Sequence, residues 1–282
     1  FESELRGQWG GEMLEIDSIG TVQRSLGLKL PKAGKDIQLT LDLKLQRTAE
    51  KVLSDKVGGA IVAIDPRTGA IRAIASQPTF DLNFFSKSFT QSQYENLFFS
   101  SNRPLLSRAL NAYDPGSTWK PVTAIAGMES GKFPASQKLN TVPCITYGSH
   151  CFPEYNKRGF GLIGYEDALR VSSNTFFYQV GVGVGSKALY AAATKLGFDN
   201  YTGIETFFDE DKGLVGNKKW AEQGRGWGNP GETPWIVEDM ASASIGQSVV
   251  LVTPLQLARA YAVFANGGYL ITPHLVAGNR NW

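Results

Sequence analysis

Tyr113-Asp114-Pro115-Gly116-Ser117-Thr118-Trp119-Lys120 decides how the rest of this chain is read. Pro115-Gly116 is a turn signal. The apolar residues that follow, Val122, Ile125, Ala126 and Met128, have roughly helical spacing. The spacing predicts that Ser117 opens a helix and that Lys120 lies one turn later on the same face. Pro121 is tolerated because the first turn of a helix owes few internal N–H bonds. A serine hydroxyl is a weak nucleophile until a base takes its proton. A lysine can be that base if burial or a nearby cation lowers its pKa. The helix N-terminus also offers free N–H groups and positive dipole to a developing oxyanion. The plainer reading is a solvated helix start, with Ser117 as a cap and Lys120 exposed. Against it, this is the only Ser-x-x-Lys quartet in the sequence, and it heads an apolar helix. The reading therefore turns on companion motifs elsewhere.

Composition narrows the field. The chain has 282 residues, enough for one large domain or one plus a fragment. It is 42% hydrophobic and 19% charged with a net charge of +2, so nothing argues for a nucleic-acid partner. No run of about 18 apolar residues is present to span a membrane. The start, Phe1-Glu2-Ser3-Glu4, is neither a signal peptide nor an initiator methionine, and the chain reads as a piece of something longer.

Outward from the Ser117 stretch, the pattern is one of strands and helices in alternation. Glu12–Asp17 and Thr21–Arg24 alternate polar and apolar residues as short strands do. Ile37–Leu41 is a strand candidate, and a helix is expected from Asp42 to Lys56 with Leu45, Ala49, Val52 and Leu53 on one face. Gly59–Asp65 and Ala70–Ala75 flank the turn Pro66-Arg67-Thr68-Gly69 and read as a hairpin. Its first strand is apolar on both faces, so helices should cover both sides of the sheet. Residues 77–112 look irregular, with aromatics expected to pack that loop on the body. Residues 132–165 look loop-rich. Helices are expected at 175–184 and 187–196. Residues 199–235 are a Gly-, Pro- and Trp-rich excursion. A helix is expected over Pro254–Ala265 with Thr253 as N-cap, and a strand over Tyr269–Val276. No repeat and no zinc-type Cys/His spacing occurs.

Ser-x-Asn occurs at Ser100-Ser101-Asn102 and at Ser172-Ser173-Asn174. Either can be a turn or a cap. A functional triplet needs a hydroxyl that relays a proton and an amide that holds a peptide carbonyl. The second follows the Ser117 helix and precedes the aromatic helix Thr175-Phe176-Phe177-Tyr178, and it is the better candidate.

Asp65-Pro-Arg-Thr-Gly69, Tyr113–Pro121, Ser172–Tyr178, and Gly246-Gln247 with Thr253-Pro-Leu-Gln256 occur in this order. Together they resemble the transpeptidase domain of a class B penicillin-binding protein, in which S-x-x-K, S-x-N-type and K-T-G motifs build the site. Glu4–Gly7, Gly10-Gly11-Glu12, Glu15-Ile16-Asp17 and Tyr201–Ile204 resemble the elongation type, penicillin-binding protein 2. The resemblance implies an α+β fold with an antiparallel sheet sandwiched by helices. It implies that residues 1–35 are the end of a pedestal module and linker, and that 36–282 are the transpeptidase domain. It also implies a serine D,D-transpeptidase at the periplasmic face of the bacterial inner membrane that cross-links peptidoglycan stem peptides and is acylated by β-lactams. No cofactor or metal is implied. Ser117 would be the nucleophile, Lys120 its base, Ser172 the proton shuttle and Asn174 the positioning amide. The implied partner is the membrane glycosyltransferase of the elongation machinery.

The departure from the family is that no Lys-Thr-Gly, Lys-Ser-Gly or His-Thr-Gly triplet occurs in the sequence. The family carries it on an edge strand beyond the Thr-Pro-Leu-Gln helix. This chain is therefore expected to lack that strand, and losing one oxyanion donor typically costs about 10²–10³ in rate. Two other readings stand beside the transpeptidase: a serine β-lactamase and a non-catalytic cell-wall scaffold. A D,D-carboxypeptidase differs only in its acceptor. Cys144 and Cys151 leave three readings open: a local disulfide in an oxidising compartment, two free thiols, or part of a metal site with His150 and a carboxylate.

Overall fold

The computed structural model describes residues 1–205, 210–224 and 234–278. A short helix α1 (Glu2–Leu5) leads into an antiparallel ribbon, β1 (Gly11–Ile16) with β2 (Val22–Lys29), where alternation predicted strands. Every residue of this ribbon is exposed.

Helix α2 (Leu43–Leu53) starts where Asp42 caps it, the carboxylate accepting the Leu45 N–H at 3.0 Å. Its inward stripe differs from the expected one. Ala49 and Leu53 are buried, but Leu45 and Val52 are exposed. Gln46 completes the inner face instead. Its amide donates to Ile74 O at 3.0 Å and accepts the Ile74 N–H at 2.8 Å, which ties the helix to a strand backbone.

That strand is β4 (Ile71–Gln77), antiparallel to β3 (Gly59–Ile64) in the predicted hairpin. Ala49 and Leu53 cover one face through Ala73 and Ala75. Leu255, from a helix near the end of the chain, covers the other through Val62 and Ile74. Helices on both faces follow from the all-apolar first strand. The strands expected at Ile37–Leu41 and Tyr269–Val276 reduce to isolated bridges, Leu39 with Val276 and Ala70 with His274. One cause is visible: Pro273 has no N–H to add to a ladder. Thr40 Oγ1 supplements the few backbone bonds, lying 2.8 Å from Ile71 O and 3.0 Å from His274 O.

Residues 77–112 are less irregular than expected. A 3-10 turn (Leu82–Ser86) is followed by α3 (Gln91–Phe98), which opens with a Thr90/Gln93 capping box. The aromatics here stack chiefly on one another, Phe84 on Phe89 at 4.7 Å and Tyr94 on Phe98 at 4.5 Å. Phe85 and Phe99 stay 55% and 73% exposed, so the rings form a cluster of their own instead of pinning the loop to the body.

Helix α4 (Lys120–Glu129) runs through the centre of the domain. Residues 132–165, expected to be loop, hold four short strands. β5 (Lys138–Thr141) pairs with β8 (Gly161–Gly164), and β6 (Cys144–Tyr147) pairs with β7 (His150–Pro153). Cys144 and Cys151 form a disulfide across the inner hairpin, with Cα atoms 5.8 Å apart. Of the three cysteine readings, the disulfide is the one found.

The remaining elements are α5 (Tyr165–Arg170), α6 (Asn174–Val184), α7 (Ser186–Lys195), β9 (Leu214–Val215), α8 (Lys218–Glu222), α9 (Val237–Ser244), β10 (Val250–Leu251, paired with β9) and α10 (Pro254–Ala265). Helix α10 begins at the Thr253/Gln256 capping box, with Pro254 in its first turn as predicted. Two buried clusters meet along α4. Val122 and Ala126 pack with Leu189, Ala193 and Val250, and Ala124 packs with Phe176, Phe177 and Val180. Within the 199–235 excursion, β9 and α8 are described, and residues 206–209 and 225–233 lie outside the described residues.

Candidate active site

The nucleophile candidate sits one element earlier than the periodicity placed it. Gly116–Trp119 is a 3-10 turn, and the α-helix proper begins at Lys120. Ser117 remains in the first turn of the continuous helical path, where its N–H has no internal acceptor due. The turn is held from behind. Gly116 takes φ of 55° and donates its N–H to Gly246 O at 2.9 Å. Gly246 itself takes φ of 74°, and a Cβ there would lie 2.5 Å from Trp119 Cβ and 2.6 Å from Gly116 O. Only glycine allows this approach, which explains the Gly246-Gln247 pair in the sequence.

Lys120 is 1% exposed. Its ammonium donates to Ser172 O at 2.6 Å, to Ser172 Oγ at 2.9 Å and to Asn174 Oδ1 at 2.8 Å. Three donors thus meet three acceptors. The Phe177 ring lies beneath, its centroid 5.9 Å from Nζ. Burial lowers the Lys120 pKa from 10.5 to about 8, while the Glu154 carboxylate pulls it upward. Among the described residues Ser117 Oγ makes no hydrogen bond. It stands exposed at a cleft of about 390 Å³ whose walls include Tyr155, Arg170, Ser172, Asn174 and Gln247.

The loop carrying Ser172 has a specific geometry. Helix α5 ends at Arg170, after which the Ser172 N–H bonds to Leu169 O at 3.1 Å and the Ser173 N–H bonds to Ala168 O at 2.9 Å. This is the paired bonding of a Schellman ending, which usually places glycine in the left-handed position. Here that position is Ser172, with φ of 54°. A side chain there costs roughly 1–2 kcal/mol, and such strain collects where function holds it. Ser173 then caps α6, accepting the Phe176 N–H at 3.3 Å, so Asn174 opens the helix with its side chain toward Lys120.

The structure brings Lys120, Ser172 and Asn174 into direct contact and sets Ser117 on the same cleft. The rival triplet is a local turn, in which Ser100 Oγ accepts the Asn102 N–H at 3.3 Å and Asn102 O accepts from Arg108. Sequence reasoning passed over Glu154, which is 1% exposed beneath the Ser172–Thr175 segment. A lone glutamate after Phe152-Pro153 carries no periodic or motif signal that would single it out. No His, Cys, Asp and Glu cluster suited to a metal occurs among the described residues.

Residues 59–281 match the penicillin binding protein transpeptidase domain. The chain belongs to that family. It is 34% identical to the peptidoglycan D,D-transpeptidase MrdA of Acinetobacter baumannii over 279 residues, 98% of this chain and 40% of that protein. It is similar to the penicillin-binding protein PBP2 of Helicobacter pylori solved in complex with MreC, at 28% identity and a TM-score of 0.82 over 99% of this chain and 50% of the other. A chain from a structure on coordination of polymerization and crosslinking by a peptidoglycan synthase complex is 34% identical, with a TM-score of 0.83 over 98% of this chain and 50% of that one. The chain thus spans less than half the length of the curated relative. Among the described residues no helix is long and apolar enough to cross a membrane.

Proposed function

We propose that this chain carries the acyl-transfer centre of a peptidoglycan D,D-transpeptidase. The observation that carries the reading is a buried lysine whose ammonium is held by Ser172 and Asn174 beside an exposed serine. With its pKa brought down to about 8, Lys120 has a substantial neutral fraction near neutral pH. Neutral Lys120 takes the Ser117 proton as Oγ attacks the penultimate D-alanine carbonyl of a stem peptide. The Ser117 N–H, in the first turn of the helical path with no internal acceptor due, serves the developing oxyanion. Ser172, bonded to Lys120, passes a proton to the leaving amine, and terminal D-alanine departs. A neighbouring stem's amine then takes the acyl group from Ser117. A β-lactam amide is opened by the same steps, but its amine stays tethered and the ester persists. Asn174 Oδ1 is committed to Lys120, leaving its amide nitrogen, 3.4 Å from Pro153 O, to meet a substrate carbonyl.

The wider assignments rest on the relatives. We place the whole protein at the periplasmic face of the inner membrane, working with a membrane glycosyltransferase of the elongation machinery. Residues 1–35 are assigned to the end of a pedestal module. An exposed two-stranded ribbon with Met13, Leu14 and Ile16 in solvent fits a part that a larger module completes.

Intact-mass spectrometry after incubation with a penicillin tests the centre. The expected result is a persistent one-to-one adduct that disappears in Ser117→Ala. A transient adduct with drug turnover points to a β-lactamase instead, and a folded chain that takes no adduct overturns the reading.

A further inference from the structure

Glu154 makes more hydrogen bonds to the catalytic loop than any packing role requires. Its Oε2 accepts from Ser173 Oγ at 2.6 Å, Thr175 Oγ1 at 2.8 Å and Thr175 N–H at 3.0 Å. Its Oε1 accepts from the Asn174 N–H at 2.7 Å and the Tyr155 N–H at 3.2 Å. The carboxylate therefore grips the backbone or side chain of three consecutive residues, 173 to 175. Asn174 Oδ1 and Ser172, on the other side of the segment, hold Lys120. Glu154 is itself anchored: its N–H donates to Pro143 O at 2.9 Å, and it follows the β7 strand that the Cys144–Cys151 disulfide staples to β6.

We propose that Glu154 is a positioning residue for the acyl transfer proposed above. It holds the 172–175 segment in the arrangement where Ser172 and Asn174 both reach Lys120, and it is the counter-ion of Lys120 across that segment. Burial alone would raise the Glu154 pKa, but the hydrogen bonds from Ser173, Asn174 and Thr175 outweigh it and hold the pKa below the usual value. Other ionisable groups around this site do not supply the counter-charge. Tyr165 and Tyr178 are pushed up to about 12 by burial and remain neutral, and Arg170, on the cleft wall, is a cation paired with Asp167 at 2.7 Å. Helix α6 contributes its N-terminal dipole to Glu154 and the Phe177 face to Lys120.

A merely structural carboxylate would move stability alone; a counter-ion also moves the titration of Lys120. The test compares wild type, Glu154→Gln and Glu154→Asp. Lys120 is followed by NMR with lysine labelled at the ε-carbon and its resonance assigned through Lys120→Arg. Acylation by a fluorescent penicillin is followed over pH in parallel. In Glu154→Gln, Lys120 should titrate at a lower pH than in wild type. The acylation plateau should fall on the order of 10- to 100-fold, the scale of a small misplacement of catalytic groups. Glu154→Asp should keep the titration near wild type while losing part of the rate. A folded Glu154→Gln chain with unchanged titration and rate overturns the proposal. If Glu154→Gln does not fold, Thr175→Val removes one donor to the carboxylate and keeps its charge. It should slow acylation without moving the Lys120 titration, and an unchanged rate there overturns the proposal. A wild-type chain that does not acylate sinks the acyl-transfer reading, while the Lys120 titration still decides the role of Glu154.

Discussion

Nζ of Lys120 lies 2.8 Å from Oδ1 of Asn174, a residue 54 positions later in the chain. That contact joins the first turn of α4 to the first residue of α6. Lys120→Met keeps most of the side-chain volume and removes the proposed base. The acylation rate is expected to fall by about 10²–10⁴, the range for deleting a positioned general base. Stopped-flow measurement with a chromogenic cephalosporin on a chain of unchanged circular dichroism checks this.

The buried ammonium also links stability to pH. The folded pKa of Lys120 lies at about 8 and the unfolded value at 10.5. Below about pH 8 both states hold the proton, and the native state bears the full cost of burying the charge. Between about 8 and 10.5 the native state has shed its proton while the unfolded chain retains it, so this residue's contribution rises with pH through that window. The full linkage is on the order of 3 kcal/mol. Urea unfolding of wild type and Lys120→Met from pH 7 to 10 should show wild type gaining stability relative to the variant. A constant difference would contradict the lowered pKa.

Ser172 makes the opposite demands of stability and chemistry. Its φ of 54° suits glycine, and its hydroxyl accepts from Lys120 at 2.9 Å. Ser172→Gly should therefore raise stability by roughly 0.5–1 kcal/mol, since the left-handed strain of a side chain exceeds the entropy cost of glycine. The same change should lower acylation about 10²-fold or more through loss of the proposed proton shuttle. Thermal melting and acylation kinetics on one sample would show the two moving apart.

Gly246 is the least replaceable glycine near the nucleophile. A methyl group there would press on Trp119 Cβ, Gly116 O and Pro115 Cγ, all within 3.0 Å. Gly246→Ala is expected to destabilise the domain by about 1–3 kcal/mol or more and to displace the Ser117 turn. Calorimetry with penicillin labelling of the folded fraction measures both. Full labelling at an unchanged melting temperature would refute the packing argument.

The parts legible in the sequence are those with local causes. Asp42 before an apolar stripe, the Pro66–Gly69 turn between two apolar runs, and Thr253-Pro254 with Gln256 each carry their own start or stop signal, and the structure puts elements there. Helix α3 had such a signal, Thr90 with Gln93, but its dense aromatics hid the period. The four strands between 138 and 164 had none. Each is four residues long and depends on a partner strand, with a disulfide added only between β6 and β7, which periodicity does not register. The quartet Ser117–Lys120 and the triplet Ser172–Asn174 were readable as motifs. Order along the chain and the aromatic helix that follows already favoured Ser172 over Ser100, but the convergence on Lys120 is a tertiary contact. Glu154 was invisible because its partners lie 19 to 21 residues away at the start of α6, across a connection whose path the sequence does not disclose.

The grip of Gly246 on the Ser117 turn has a kinetic meaning as well. The reactive centre is assembled from segments near 117, 154, 172 and 246, and no two of them are neighbours in the chain. Contacts of such long sequence separation close late in folding, after the local helices and the hairpin. A chain with its hairpin and helices formed but the 246 segment undocked would show native-like secondary structure and an unsupported serine. Covalent labelling of Ser117 would then count only molecules whose most distant segments have come together, making the drug a clock for the last step of folding.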